Sequence, residues 1–84
     1  MVRRMTTNDA VAKRITELLQ QKQYTQYKLE QKSCVYHGAM NRILTGKNKS
    51  ITLDTLYKLA RGFDMTVHEF LNSETFCSED LEIE

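Results

Sequence analysis

The sequence contains no proline and only three glycines among 84 residues. That poverty of turn formers argues against a sandwich or barrel of short strands and for a chain of helices. It contains only two cysteines, Cys34 and Cys77, distant from one another and in no C-x-x-C arrangement. The expectation is two reduced thiols in a cytoplasmic protein, with a disulfide staple or a metal site as the lesser alternative. No apolar run is long enough for a signal-peptide core or a membrane span. The two histidines offer nothing better: His68 beside Glu69 and His37 near Cys34 lack metal spacing and a third partner. No nucleophile–base pair and no glycine loop able to cradle phosphate is present, so neither an enzyme nor a cofactor is expected. At this length the chain has room for one small domain with one core.

Net charge is only +1, but it is unevenly spread. Residues 1–50 hold ten basic and three acidic side chains, whereas residues 51–84 hold two basic and eight acidic. A basic half suits a polyanionic partner; the plainer alternative is a solvated surface that happens to be lopsided.

Hydrophobic spacing divides the chain into five short helices. Thr7 or Asn8 is placed to cap the first, with Val11, Ile15, Leu18 and Leu19 inward and an end near Gln21–Gln23. Thr25 caps a second helix over Gln26–Lys32 with Leu29 inward. Ser33, Cys34 and Val35 interrupt it. A third helix runs from Tyr36 or His37 to Thr45, burying Met40, Ile43 and Leu44, and Gly46 stops it. Thr52 caps a fourth, with Leu53, Leu56, Leu59, Ala60 and Phe63 on one face. Thr66 and Glu69 have capping-box spacing for a fifth, with Val67, Phe70 and Leu71 inward. The expected division is an arm over 1–8, a helical domain over 9–72 and an acidic tail over 73–84. Helices this short are unstable alone and must pack together. Two of them joined by a three-residue turn, inside a basic half, form an arrangement able to set one helix in a major groove.

The run from Thr25 through Leu29, Val35, Met40 and Ile43 to Gly46 resembles the helix-turn-helix of the Cro/C1-type (XRE) family. The following Leu53-x-x-Leu56-x-x-Leu59-Ala60 series and the Met65–Leu71 segment resemble that family's fourth and fifth helices. The resemblance spans roughly residues 14–71. It implies an all-α, five-helix lambda-repressor-like DNA-binding domain that acts as a transcriptional regulator, often as a dimer. Two residues depart from the family pattern. Glu30 stands where a small residue is common, so its carboxylate is expected to reach sideways to solvent over a buried stem. Cys34 stands where glycine is common, which implies strain if the turn needs positive φ.

By matching positions, the outer face of the third helix carries His37, Gly38, Asn41 and Arg42 as base-contacting candidates. The same face follows from the inward assignment of Met40, Ile43 and Leu44. Arg42 suits a bidentate pair with guanine O6 and N7, and Asn41 a pair with adenine N6 and N7; the plain alternative for each is a solvated surface residue. His37 suits a guanine acceptor or a phosphate. Gly38 reads no base but lets the backbone come close. Gln26, at a helix start with its side chain outward, is a phosphate candidate. Tyr36 and Thr45 flank the recognition helix and join it in that role. Lys47, Asn48 and Lys49 follow as a basic loop that reaches the sugar-phosphate chain or is merely flexible.

The expected partner is an operator in double-stranded DNA, read by a homodimer whose interface involves Phe70, Leu71 and Phe76. The alternative is a protein-interaction module, such as an antitoxin that binds a partner protein through the acidic C-terminal region.

Overall fold

The structure, a computed structural model, describes residues 6–47, 50–73 and 76. Five helices follow in order: α1 (Thr7–Lys22), α2 (Gln26–Ser33), α3 (His37–Leu44), α4 (Leu53–Gly62) and α5 (Val67–Leu71). α2 packs against α4 and α3, α1 against α3, and α4 against α5.

Local chemistry sets most boundaries. Thr25, Thr52 and Thr66 each accept a hydrogen bond from the amide three residues on, satisfying one orphan donor of the first turn. Thr66 and Glu69 complete the capping box in both directions, at 3.1 and 3.0 Å. Backbone and side-chain hydrogen bonds from Thr66 hold the Glu69 carboxyl below its ordinary pKa. The cap of α1 is Thr6, not Thr7 or Asn8 as the sequence suggested. Asp9, three residues after Thr6, returns a bond to its amide and makes a second capping box. Asn8 is thereby carried into the helix and buried, and its Nδ2 donates to the Ile43 carbonyl at 3.4 Å.

The core contains Ile15, Leu29, Met40, Ile43, Leu59, Phe63 and Phe70, all essentially without exposure. Four rings run through one side of it. Tyr24 stacks on Phe63 at 6.0 Å between centroids, Phe63 on Phe70 at 6.4 Å, and Phe70 meets Phe76 at 6.4 Å. Phe70 is therefore not available to the dimer interface suggested for it. Phe76 is half-buried against that ring instead of standing free in a tail.

Leu53, expected inward, is 62% exposed. Its helical phase matches Ala60, seven residues on, but the fully buried positions of α4 lie in its C-terminal half, at Leu59, Ala60 and Gly62. Phase alone does not bury a side chain in a turn that the neighbouring helices do not cover.

Gly62 marks the closest approach of α4 to α2. A Cβ there would stand 2.8 Å from both Leu29 Cδ1 and Ser33 Cβ, and 3.3 Å from the Ser33 backbone. Overpacking costs about 1–3 kcal/mol, and alanine regains about 1 kcal/mol over glycine in a helix. The two 2.8 Å contacts place the cost in the upper part of that range, so Gly62→Ala should lose about 1–2 kcal/mol net in urea denaturation. An unchanged or raised midpoint would contradict the close approach.

Candidate nucleic-acid interface

The turn between α2 and α3 depends on Cys34. Its φ of 60° and ψ of 26° end α2 in the left-handed region, where its amide donates to the Glu30 carbonyl. A non-glycine residue in that region carries a Cβ clash. The thiol is free and exposed. Val35 then drops into the core, and Tyr36, extended at φ −71° and ψ 159°, starts α3.

Met40 and Ile43 bury one face of α3, and Leu44 is half-buried beside them. The opposite face brings His37, Gly38, Asn41 and Arg42 together, all exposed. Tyr36 and Thr45 flank it, likewise exposed, and Lys47 follows at the surface. The Thr45 hydroxyl is occupied by its own helix, donating to the Asn41 carbonyl at 2.7 Å. Asn48 and Lys49 lie outside the described residues, as does most of the acidic tail.

Gly38 has a structural reason for its place. A Cβ on it would meet Tyr36 Cε2 at 3.2 Å, so the Tyr36 ring lies directly over its backbone. The Tyr36 hydroxyl in turn accepts from Arg42 Nη2 at 2.9 Å. Tyr36 is thus part of the exposed face as well as its border.

The remaining side chains close a ring across the turn. Gln26 Nε2 donates to Glu30 Oε2 at 2.8 Å and to Asn41 Oδ1 at 3.0 Å. His37 Nδ1 lies 3.0 Å from the same Glu30 oxygen, and its Nε2 lies 3.0 Å from Asn41 Nδ2. Two expectations change. The Gln26 side chain bends toward α3, not outward, because Glu30 one turn on and Asn41 across the turn take both of its amide hydrogens. Glu30 does not reach sideways to solvent; its side chain is only 9% exposed. The hydrogen bond from Gln26 is the chief cause holding the Glu30 carboxyl below its ordinary pKa; partial burial opposes it and His37 adds to it. Glu30 was not among the candidates read from the sequence. The signal was there in two pairs at i, i+4 spacing, Gln26 with Glu30 and His37 with Asn41, which share a helix face.

Sequence reading also passed over the start of α4. Ser50, Thr52, Thr55 and Lys58 line a cleft of about 280 Å³ together with Tyr36 and Ala39. The cleft sets the first turn of one helix beside the N-terminal end of α3.

Some of the basic half is engaged elsewhere. Arg14 donates to the Phe70 and Glu69 carbonyls at 2.7 and 3.1 Å, satisfying the end of α5. Lys32 pairs with Asp64 at 2.6 Å, and that contact, with the Tyr24 hydroxyl adding to it, raises the lysine's pKa and lowers the aspartate's. Among the described residues, no group of three or more His, Cys, Asp or Glu side chains is placed to hold a metal ion. No described helix is long and apolar enough to cross a membrane.

No curated protein and no solved structure matches the chain. The family model for the Cro/C1-type HTH DNA-binding domain matches residues 14–75, most of the sequence and four of the five helices in full. The family consists of DNA-binding regulators of transcription and not of enzymes. With α2 and α3 as its helix-turn-helix inside an all-α, five-helix fold, this chain belongs to the Cro/C1-type (XRE) family of DNA-binding domains.

Proposed function

We propose that the protein represses or activates transcription by occupying a specific operator as a symmetric homodimer, with α3 in the major groove. The observation that carries this reading is the division of α3 into a buried Met40–Ile43 face and an exposed His37, Gly38, Asn41, Arg42 face. Arg42 and Asn41 read base edges, and His37 and Gly38 lie against the groove beside them. Tyr36 and Lys47 hold the backbone with Gln26, which acts through its main-chain amide in the first turn of α2, and with Thr45, whose hydroxyl leaves the Asn41 carbonyl to do so; Asn48 and Lys49 join them. Thr55 and Lys58 of α4 add to that grip from a cleft that Tyr36 also lines. In this reading residues 9–72 are the DNA-binding domain, 1–8 an arm and 73–84 a tail.

One recognition helix reads too few base pairs for high specificity, so two half-sites are needed, about 34–36 Å apart on one face of the duplex. Selection of bound duplexes from a random pool should return a pseudo-palindrome with that spacing. Lys47→Ala should weaken selected and random duplexes alike and reduce the slope of log affinity against log salt by about one unit. A pool that shows no enrichment would overturn operator binding and favour a protein partner at the acidic tail. An unchanged salt slope would remove Lys47 from the phosphate contacts.

A further inference from the structure

We infer that Glu30 is a positioning residue that selects the Nδ1–H tautomer of His37 and so fixes which way the Asn41 amide faces the DNA. The inference deepens the proposed function and rests on it for its consequence in DNA reading, though not for its geometry.

The hydrogen-bond roles follow in one direction only. An ionised carboxylate accepts and does not donate, and the hydrogen bond from Gln26, with His37 adding to it, favours the ionised form of Glu30. The His37 ring nitrogen 3.0 Å from Glu30 Oε2, Nδ1, must therefore carry the hydrogen. In a neutral imidazole the other nitrogen is then an acceptor. Nε2 faces Asn41 at 3.0 Å, so Asn41 must offer its NH₂ there. Asn41 Oδ1 is left facing Gln26, whose second amide hydrogen it accepts at 3.0 Å. The first hydrogen of that amide returns to Glu30 at 2.8 Å. Every donor in the ring meets an acceptor, and Glu30 is the only member whose role is fixed by its charge. Reversing the His37 tautomer would set a second N–H against the Asn41 NH₂. Flipping that amide would in turn set its NH₂ against Gln26.

Both His37 ring nitrogens are thus occupied inside the protein, and His37 acts on DNA through Asn41. Asn41 keeps one N–H and one oxygen lone pair outside the ring, which is the pair that adenine N7 and N6 require. The residue that sets this orientation lies on α2, not on the recognition helix, at a position with a side chain only 9% exposed.

The test uses the full chain with ¹⁵N-labelled histidine in basic buffer, about pH 8.5, where imidazoles are neutral. The wild type should show His37 Nδ1 as the protonated nitrogen and Nε2 as the bare one. Glu30→Ala should move the proton toward Nε2, and Glu30→Gln, which keeps an acceptor oxygen, should restore Nδ1–H. Amide dispersion in the same samples establishes that the variants are folded. On duplexes selected by the wild type, Glu30→Ala should lose about 5- to 10-fold of the adenine preference at one base pair per half-site, and Glu30→Gln should keep most of it. A wild type protonated at Nε2, or a tautomer unmoved in Glu30→Ala, overturns the inference. A tautomer that moves while adenine preference stays intact overturns its recognition half. If the wild type selects no duplex, operator binding fails, and the nitrogen spectra alone decide whether Glu30 positions His37.

Discussion

Phe63→Ala should lower stability by about 3–5 kcal/mol, the range for emptying a buried aromatic site. The ring has no exposure and stands in the middle of the stack, with Tyr24 on one side and Phe70 on the other. Its removal strips both neighbours of a partner at once. Small domains have only about 5–15 kcal/mol in total, so the variant should be measurably unfolded without denaturant on moderate warming. Urea titration by circular dichroism measures the loss, and an unchanged slope would show that the effect lies in the folded state. DNA affinity should fall only in step with the unfolded fraction, since Phe63 is fully buried and shares the core with Met40 and Ile43. A loss under about 1 kcal/mol would mean that the stack is not the centre of the core.

What was legible in the sequence is what local chemistry decides. Thr25, Thr52 and the Thr66–Glu69 pair announce their helices because a cap needs only a short oxygen side chain and free amides three residues on. Cys34 was legible through the resemblance, which has glycine at that position, and its φ of 60° is the conformation that glycine favours. The alternation of Met40 and Ile43 against His37, Asn41 and Arg42 named the outward face before any coordinate. What escaped was whatever depends on how helices meet. Gly62 carries no sequence signal of a contact, yet it is where α4 lies on Ser33. Leu53 has the right phase and no neighbour to cover it. Arg14 and Lys32 count toward a basic half, yet they serve the end of α5 and Asp64. Charge asymmetry along a chain therefore overstates the charge that reaches DNA, because some of it is engaged across the fold. Glu30 escaped in part for the same reason: its i, i+4 partner Gln26 is readable from spacing, but only the angle between α2 and α3 brings His37 to its carboxylate.

Arg42→Ala should erase the preference for one guanine in each half-site, a loss of discrimination of about 1–3 kcal/mol or roughly 5- to 150-fold. The guanidinium carries five N–H donors in a rigid fork. Among the described residues, one hydrogen bond, from Nη2 to the Tyr36 hydroxyl, holds it in the free protein. That contact restrains the side chain while leaving the donors needed for O6 and N7 of guanine. Tyr36 can serve as the brace because Gly38 leaves room for its ring, so the glycine's cost in helix propensity of about 1 kcal/mol is offset by a held arginine. The effect should differ in kind from that of Lys47→Ala. Competition between the selected operator and its single-base variants should show Arg42→Ala flat at one position, with affinity for random duplexes far less affected. Lys47→Ala should keep every preference and lose affinity evenly. Tyr36→Phe, which keeps the ring and removes the acceptor, should fall between wild type and Arg42→Ala at that same position. If Arg42→Ala reads the operator as the wild type does, Arg42 is a surface charge, and base readout must lie with Asn41 and its ring of partners.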